Sequence, residues 1–179
     1  MPKHPLLLHW FDILLTALAP AMWGSTYIVT TQILPPDRPF TAACLRVLPA
    51  GLLLVAYRRV WPQRGHWGRM LILSALNIGV FQALLFIAAY RLPGGVAAVV
   101  GALQPLLVMA LAWALDRQKP PHLAVVAAVF GVISMAVLLL SPAAKWDTLG
   151  IVAALSGVAC MAAGTYLARR RRPDMPVLA

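Results

Sequence analysis

The chain has 179 residues, 61% hydrophobic and 11% charged, with five Asp, no Glu, and a formal charge of +10. A soluble domain carries about 25% charged residues, so this composition excludes one and makes lipid the relevant solvent. A basic excess can mark a nucleic-acid binder, but these arginines flank apolar runs with no soluble module to present them, which excludes nucleic acid as a partner.

The first apolar block runs from Trp10 to Leu34, longer than the about 20 residues a helix needs to cross hydrocarbon. Pro20 removes a backbone donor and invites a kink. Trp23-Gly24-Ser25-Thr26-Tyr27 follows. Gly24 and Ser25 let another backbone approach. Ser25, Thr26 and Tyr27 bring hydroxyls to membrane depth, where they need partners, water or a ligand. They read either as internally bonded groups of a packed helix or as the wall of a translocation cavity. Lys3 followed by an apolar run resembles a signal peptide, but the run continues past Ala19-Pro20-Ala21, so it is expected to stay as a first span.

The second block, Thr41 to Tyr57, contains Arg46 and Pro49, and a basic loop follows through Arg58, Arg59, Arg64, His66 and Arg69. The third block, Met70 to Tyr90, carries Asn77 and Gln82. The link Arg91-Leu92-Pro93-Gly94-Gly95 opens the fourth block, which carries Gln104-Pro105 and ends near Leu115. Asp116-Arg117-Gln118-Lys119-Pro120-Pro121 separates it from the fifth, His122 to Leu140. Ser141-Pro142 through Asp147 leads to the sixth, Leu149 to Ala168, and then to Arg169-Arg170-Arg171-Arg172. Each block has the length of a spanning helix. The expected fold class is therefore all-α, a polytopic membrane helix bundle of about six spans. Cys44 and Cys160 fall inside separate apolar blocks, so they read as small packing residues, neither a disulfide framework nor metal ligands.

Basic loops set orientation. With the N-terminus in the cytoplasm, the inner face holds Lys3, Arg58, Arg59, Arg64, Arg69, Arg117, Lys119 and Arg169 to Arg172, while the outer face holds only Arg38, Arg91 and Lys145. The expected topology is N-in and C-in across a bacterial-type inner membrane. A faint internal repeat accompanies it. Ala21-Met22-Trp23-Gly24-Ser25-Thr26-Tyr27-Ile28 can be laid on Cys160-Met161-Ala162-Ala163-Gly164-Thr165-Tyr166-Leu167, with Met, Thr and Tyr coinciding. The two segments are five spans apart and cross in opposite directions, as in an inverted-topology repeat.

The order of features carries a resemblance. Trp23-Gly24-Ser25-Thr26 lies in span one and Leu45-Arg46 in span two. Ala89-Tyr90-Arg91-Leu92-Pro93-Gly94-Gly95-Val96-Ala97 joins spans three and four. Leu103-Gln104-Pro105-Leu106 lies in span four, which ends on an acid, and Phe130-Gly131-Val132 lies in span five. The chain resembles the EamA-type transporters of the drug/metabolite transporter superfamily over nearly its whole length. That family usually has ten spans in two inverted five-span repeats and exports small metabolites. The resemblance implies a cytoplasmic N-terminus at 1–9, a five-helix repeat at 10–140, the first helix of a second repeat at 141–168, and a basic tail at 169–179. It departs from the family where Asp116 replaces the common Glu, and in ending before spans seven to ten.

Arg46 is the most informative single residue, because a charge inside a span costs about 2.5–3.5 kcal/mol on insertion scales. It reads as a structural group bonding carbonyls or a hydroxyl, as a ligand for carboxylate or phosphate, or as a snorkelling cation. Asn77, Gln82 and Gln104 read as interhelical glue or as substrate contacts. Pro105 predicts local unwinding of span four or a plain packing kink. Trp23 and Tyr27, one turn apart, pack in the bundle or stack on substrate. Asp12 is a coupling carboxylate or, near a helix start, a complement to the helix dipole. No hydrolase, zinc-protease or phosphate-loop pattern occurs, and His4, His9, His66 and His122 are scattered, so no enzyme, metal or cofactor is expected.

The leading expectation is alternating-access efflux of small metabolites or drugs, with substrate between spans one to four and a second copy or a partner chain completing the bundle. The alternatives are a truncated remnant that inserts without transporting, and a membrane assembly subunit.

Overall fold

The computed structural model describes residues 5–58, 64–139 and 146–170. Lys3, His4, Arg59, Leu140, Ser141, Pro142, Lys145, Arg171 and Arg172 lie outside the described residues, as does the rest of the tail to 179. All regular structure among the described residues is helical. The helices are α1 (Pro5–Gln32), α2 (Pro39–Arg58), α3 (Trp67–Ser74), α4 (Val80–Arg91), α5 (Gly94–Gly101), α6 (Gln104–Asp116), α7 (His122–Leu139) and α8 (Thr148–Arg170). A 3-10 turn, Arg64–His66, precedes α3, and a π-helical turn, Ala75–Gly79, joins α3 to α4.

These elements make six helices long and apolar enough to cross a membrane: Asp12–Gln32, Pro39–Tyr57, Trp67–Arg91, Gly94–Asp116, His122–Leu139 and Thr148–Arg170. Prolines set several of the boundaries. Leu92 is extended at φ −110° and ψ 144°, the conformation a following proline imposes. The Pro93 carbonyl then accepts the Val96 and Ala97 N–H groups, and the Pro121 carbonyl likewise accepts those of Ala124 and Val125. Arg117, in the left-handed region at φ 53°, ends α6.

Two compact units divide the chain, Met1–Pro36 and Asp37–Ala179. The first contains α1, a continuous helix through Pro20 that begins at Pro5. Asp12 is therefore about two turns inside α1, with no acid in the first turn, and the dipole reading of Asp12 does not hold.

The second unit is organised around α8, which packs chiefly against α4 and α6 and also against α5. Its buried face is Gly150, Ala153, Ala154, Gly157, Val158, Ala162, Gly164 and Tyr166. Phe81, Phe86, Ala88 and Ala89 are buried on α4, Val96 and Ala97 on α5. The α8 face of this core is mostly Gly and Ala, the composition that lets helices meet where lipid leaves no hydrophobic drive between them. By contrast α7 buries no residue and presents Leu123, Phe130, Val137 and Leu138 outward, as a lipid-facing helix does. Cys44 is exposed on α2, which overturns its packing reading, whereas Cys160 is half-buried; both are free thiols.

Candidate functional site

In α1 the serine and threonine hydroxyls are bonded back along the helix. Ser25 Oγ donates to the Met22 carbonyl at 3.0 Å, and Thr26 Oγ1 to the same oxygen at 3.4 Å. Thr30 and Thr31 donate to the carbonyls of Thr26 and Tyr27 at 2.7 and 2.9 Å. Such bonds satisfy hydroxyls in hydrocarbon without a second helix. Trp23, one turn before Tyr27, is 41% exposed.

The remaining candidates lie in the second unit. Arg46 stands about two turns into α2, half-buried, with its guanidinium carbon 6.0 Å from the centre of the Phe86 ring on α4. That is the outer limit of a cation–π contact. Gln82 precedes Phe86 by one turn on α4, so the two share a face. The Gln82 Oε1 atom is buried without a hydrogen-bond partner. Asn77 sits in the π turn, where the Val80 N–H reaches back to the Ala75 carbonyl. Its Nδ2 donates to the Leu73 carbonyl at 3.0 Å, and its amide lies flat on Gly164 of α8. A Cβ at Gly164 would stand 2.5–2.6 Å from Asn77 Nδ2, Cγ and Oδ1.

Span four tightens at Ala102 and Leu103, between the end of α5 at Gly101 and the start of α6 at Gln104, where both residues keep right-handed helical angles. The Leu103 N–H bonds to the Val100 carbonyl at 3.1 Å, a three-residue return, and Pro105 lies in the first turn of α6. Of the two readings of Pro105, the backbone shows no unwound segment, only a tightened turn at the two residues before Gln104. Gln104 is half-buried and Pro105 exposed. Arg46 thus meets the α2–α4 boundary, Gln82 lies one turn along α4 from Phe86, Asn77 faces α8, and Gln104 and Pro105 follow the tightened turn.

Three features were not read from the sequence. One is the π turn, whose extra residue shifts the helical face across Asn77. The others are two ion pairs at opposite ends of α8. At one end Arg91 Nη1 lies 3.4 Å from Asp147 Oδ2, while Asp147 Oδ1 accepts the Gly150 N–H at 2.6 Å and caps α8. At the other, Arg170 Nε lies 3.4 Å from Asp116 Oδ1, and Arg170 Nη1 donates to the Tyr166 hydroxyl at 3.3 Å. The spacing Gly150, Gly157, Gly164, seven residues apart, was the available signal that α8 has a close-packed face. Among the described residues no cluster of His, Cys, Asp or Glu could hold a metal ion.

The model of the EamA-like transporter family matches residues 10–140. The chain belongs to the EamA-like transporter family. This is a transporter family rather than an enzyme family, and the chain is a multi-pass membrane protein. Among relatives, it is 47% identical to Protein PecM of Dickeya dadantii over 152 residues, 85% of this chain and 51% of PecM. It is 33% identical to a WAT1-related chloroplastic protein of Arabidopsis thaliana over 50% of this chain and 23% of that protein. It is 29% identical to an uncharacterized transporter of Synechocystis over 54% of this chain and 31% of that protein. The chain spans about half the length of PecM and less of the other two. No solved structure matches it.

Proposed function

We propose that this EamA-family chain forms part of a carrier that moves small metabolites or drugs across a bacterial inner membrane by alternating access, in the direction of efflux. The observation that carries this reading is the family match across residues 10–140, which takes in the first five of the six spans. Trp23, Ser25, Thr26 and Tyr27 on α1, with Arg46, Asn77, Gln82, Gln104 and Pro105 in the second unit, are the proposed pathway residues. The buried, unpartnered Gln82 Oε1 supports that assignment, because a spare polar atom at membrane depth is a feature of transporter sites. The chain spans about half of PecM, and the proposed partners are the lipid bilayer, a small-molecule substrate, and a second copy or a partner chain in the same bundle.

The test is export from cells making the chain, paired with its membrane abundance. Arg46→Ala and Trp23→Ala are each expected to reduce export at least tenfold at unchanged abundance. Loss of abundance in step with export returns both residues to packing. Insertion at normal abundance with no flux for any solute, alone or with a co-purifying partner, supports the assembly-subunit reading instead.

A further inference from the structure

The glycines of α8 fix its register against the third span. Gly150 meets Arg91 and Leu92, Gly157 meets Leu84, and Gly164 meets Asn77, so the two run in opposite senses, the partner number falling by seven or eight at each step. One further step brings Arg69, at the start of α3, beside the end of α8 at Arg170. This end of the bundle is basic. Arg170 is held by Asp116, but neither ion pair among the described residues involves Arg69. Its Nη2 atom is buried with no hydrogen-bond partner among the described residues, and the Nδ1 atom of His66 is in the same condition. His66 has right-handed helical angles, φ −99° and ψ −7°, so it stands one turn before Arg69, with about 5–6 Å between their Cβ atoms. The first turn of α3 holds no acid, and His66, at its N-cap position, makes no side-chain cap bond. Both residues are half-buried, so neither is sealed off.

We propose that Arg69 and His66 hold the phosphate of an anionic phospholipid at the membrane surface. A buried guanidinium nitrogen without a partner costs desolvation energy that nothing offsets, and a phosphate offsets it by neutralising the delocalised charge and accepting from the fork. Two features choose a lipid over a free phosphate. Trp67 stands between the two residues in sequence and is exposed, as tryptophans are at the membrane–water boundary. Leu71 and Ile72, next along α3 toward the hydrocarbon, are exposed as well and offer acyl chains a place to lie. The charge balance chooses an anionic headgroup over a zwitterionic one, because a choline or ethanolamine would bring a second cation to a place that already holds Arg69 and Arg170 and has no acid on α3. The proposal concerns a bound lipid and does not depend on flux, so its failure leaves the transport reading untouched.

Native mass spectrometry of the detergent-solubilised full chain, titrated with dioleoyl phosphatidylglycerol, dioleoyl phosphatidylcholine or inorganic phosphate, tests it. Phosphatidylglycerol is expected to bind saturably and about tenfold more tightly than phosphatidylcholine, roughly what one hydrogen bond to a charged group contributes. Arg69→Gln is expected to remove that preference, and His66→Ala to weaken phosphatidylglycerol binding about two- to fivefold. Arg69→Lys keeps the charge without the fork, and is expected to retain the preference at about threefold weaker binding. Arg117→Gln removes an exposed cation elsewhere on the same end, and is expected to change binding by less than about twofold. Equal binding of the two lipids to the unaltered chain, equal losses in Arg117→Gln and Arg69→Gln, or displacement of phosphatidylglycerol by inorganic phosphate overturns the proposal.

Discussion

At Gly164 a missing side chain is a packing requirement. The Asn77 amide occupies the space a Cβ would need, and it is pinned there by its own bond to the Leu73 carbonyl. Gly164→Ala is expected to lower unfolding stability in detergent by about 1–3 kcal/mol, the usual cost of overpacking. Asn77→Ala added to Gly164→Ala should recover part of that loss, giving a coupling a double-mutant cycle can measure. If the two changes simply add, the contact is not what holds the π turn against α8. Gly95 offers the stricter comparison, because a Cβ there would lie 2.5 Å from the Leu139 carbonyl oxygen, and backbone cannot swing aside as an amide can. The sequence shows Asn77 as an amide at membrane depth. It cannot show which neighbour the amide meets, because the five-residue turn beneath it moves the helical face and leaves no compositional mark.

The helix that ties the second unit together is α8, and its two ends are fastened differently. Asp147 both caps the helix and pairs with Arg91, whereas Arg170 bridges Asp116 and Tyr166. Exposed ion pairs contribute only about 0.2–1 kcal/mol, while loss of an N-cap costs about 0.5–2 kcal/mol. Thermal unfolding should therefore separate the two roles. Asp147→Ala is expected to cost the larger amount, Asp147→Asn and Arg91→Gln less than about 1 kcal/mol each, and high salt should shrink the Arg91→Gln effect but not the loss in Asp147→Ala. Equal losses for Asp147→Ala and Asp147→Asn would assign the effect to charge alone. The helix itself was legible from its apolar length. The caps and pairs were not, because Asp147 and Arg91 are 56 residues apart and become neighbours only when α4 and α8 cross in opposite senses.

The two ion pairs also constrain the whole molecule. Asp116 and Arg170 close the ends of α6 and α8, so those helices run the same way, and Arg91 with Asp147 sets the end of α4 beside the start of α8. This is the alternation expected of consecutive crossings, and hydrophobic length alone was enough to count them, since in lipid only a closed helix satisfies its own backbone. Which face is cytoplasmic rests on a different force, the retention of Lys and Arg on the inner side. Arg58, Arg64, Arg69, Arg117 and Lys119 lie at one set of span ends, and Arg38 and Arg91 at the other. Topology is therefore read by single cysteines in a background where Cys44 and Cys160 are replaced by Ala. Arg38→Cys is expected to react with a membrane-impermeant maleimide in intact cells, and Arg117→Cys only after permeabilisation. The reverse pattern would invert the orientation while leaving the six-helix fold intact. Labelling of both positions in intact cells would mean that the chain inserts in both senses. The short loop charges would then be too few to decide, and added Lys residues beside Arg117 should restore a single orientation.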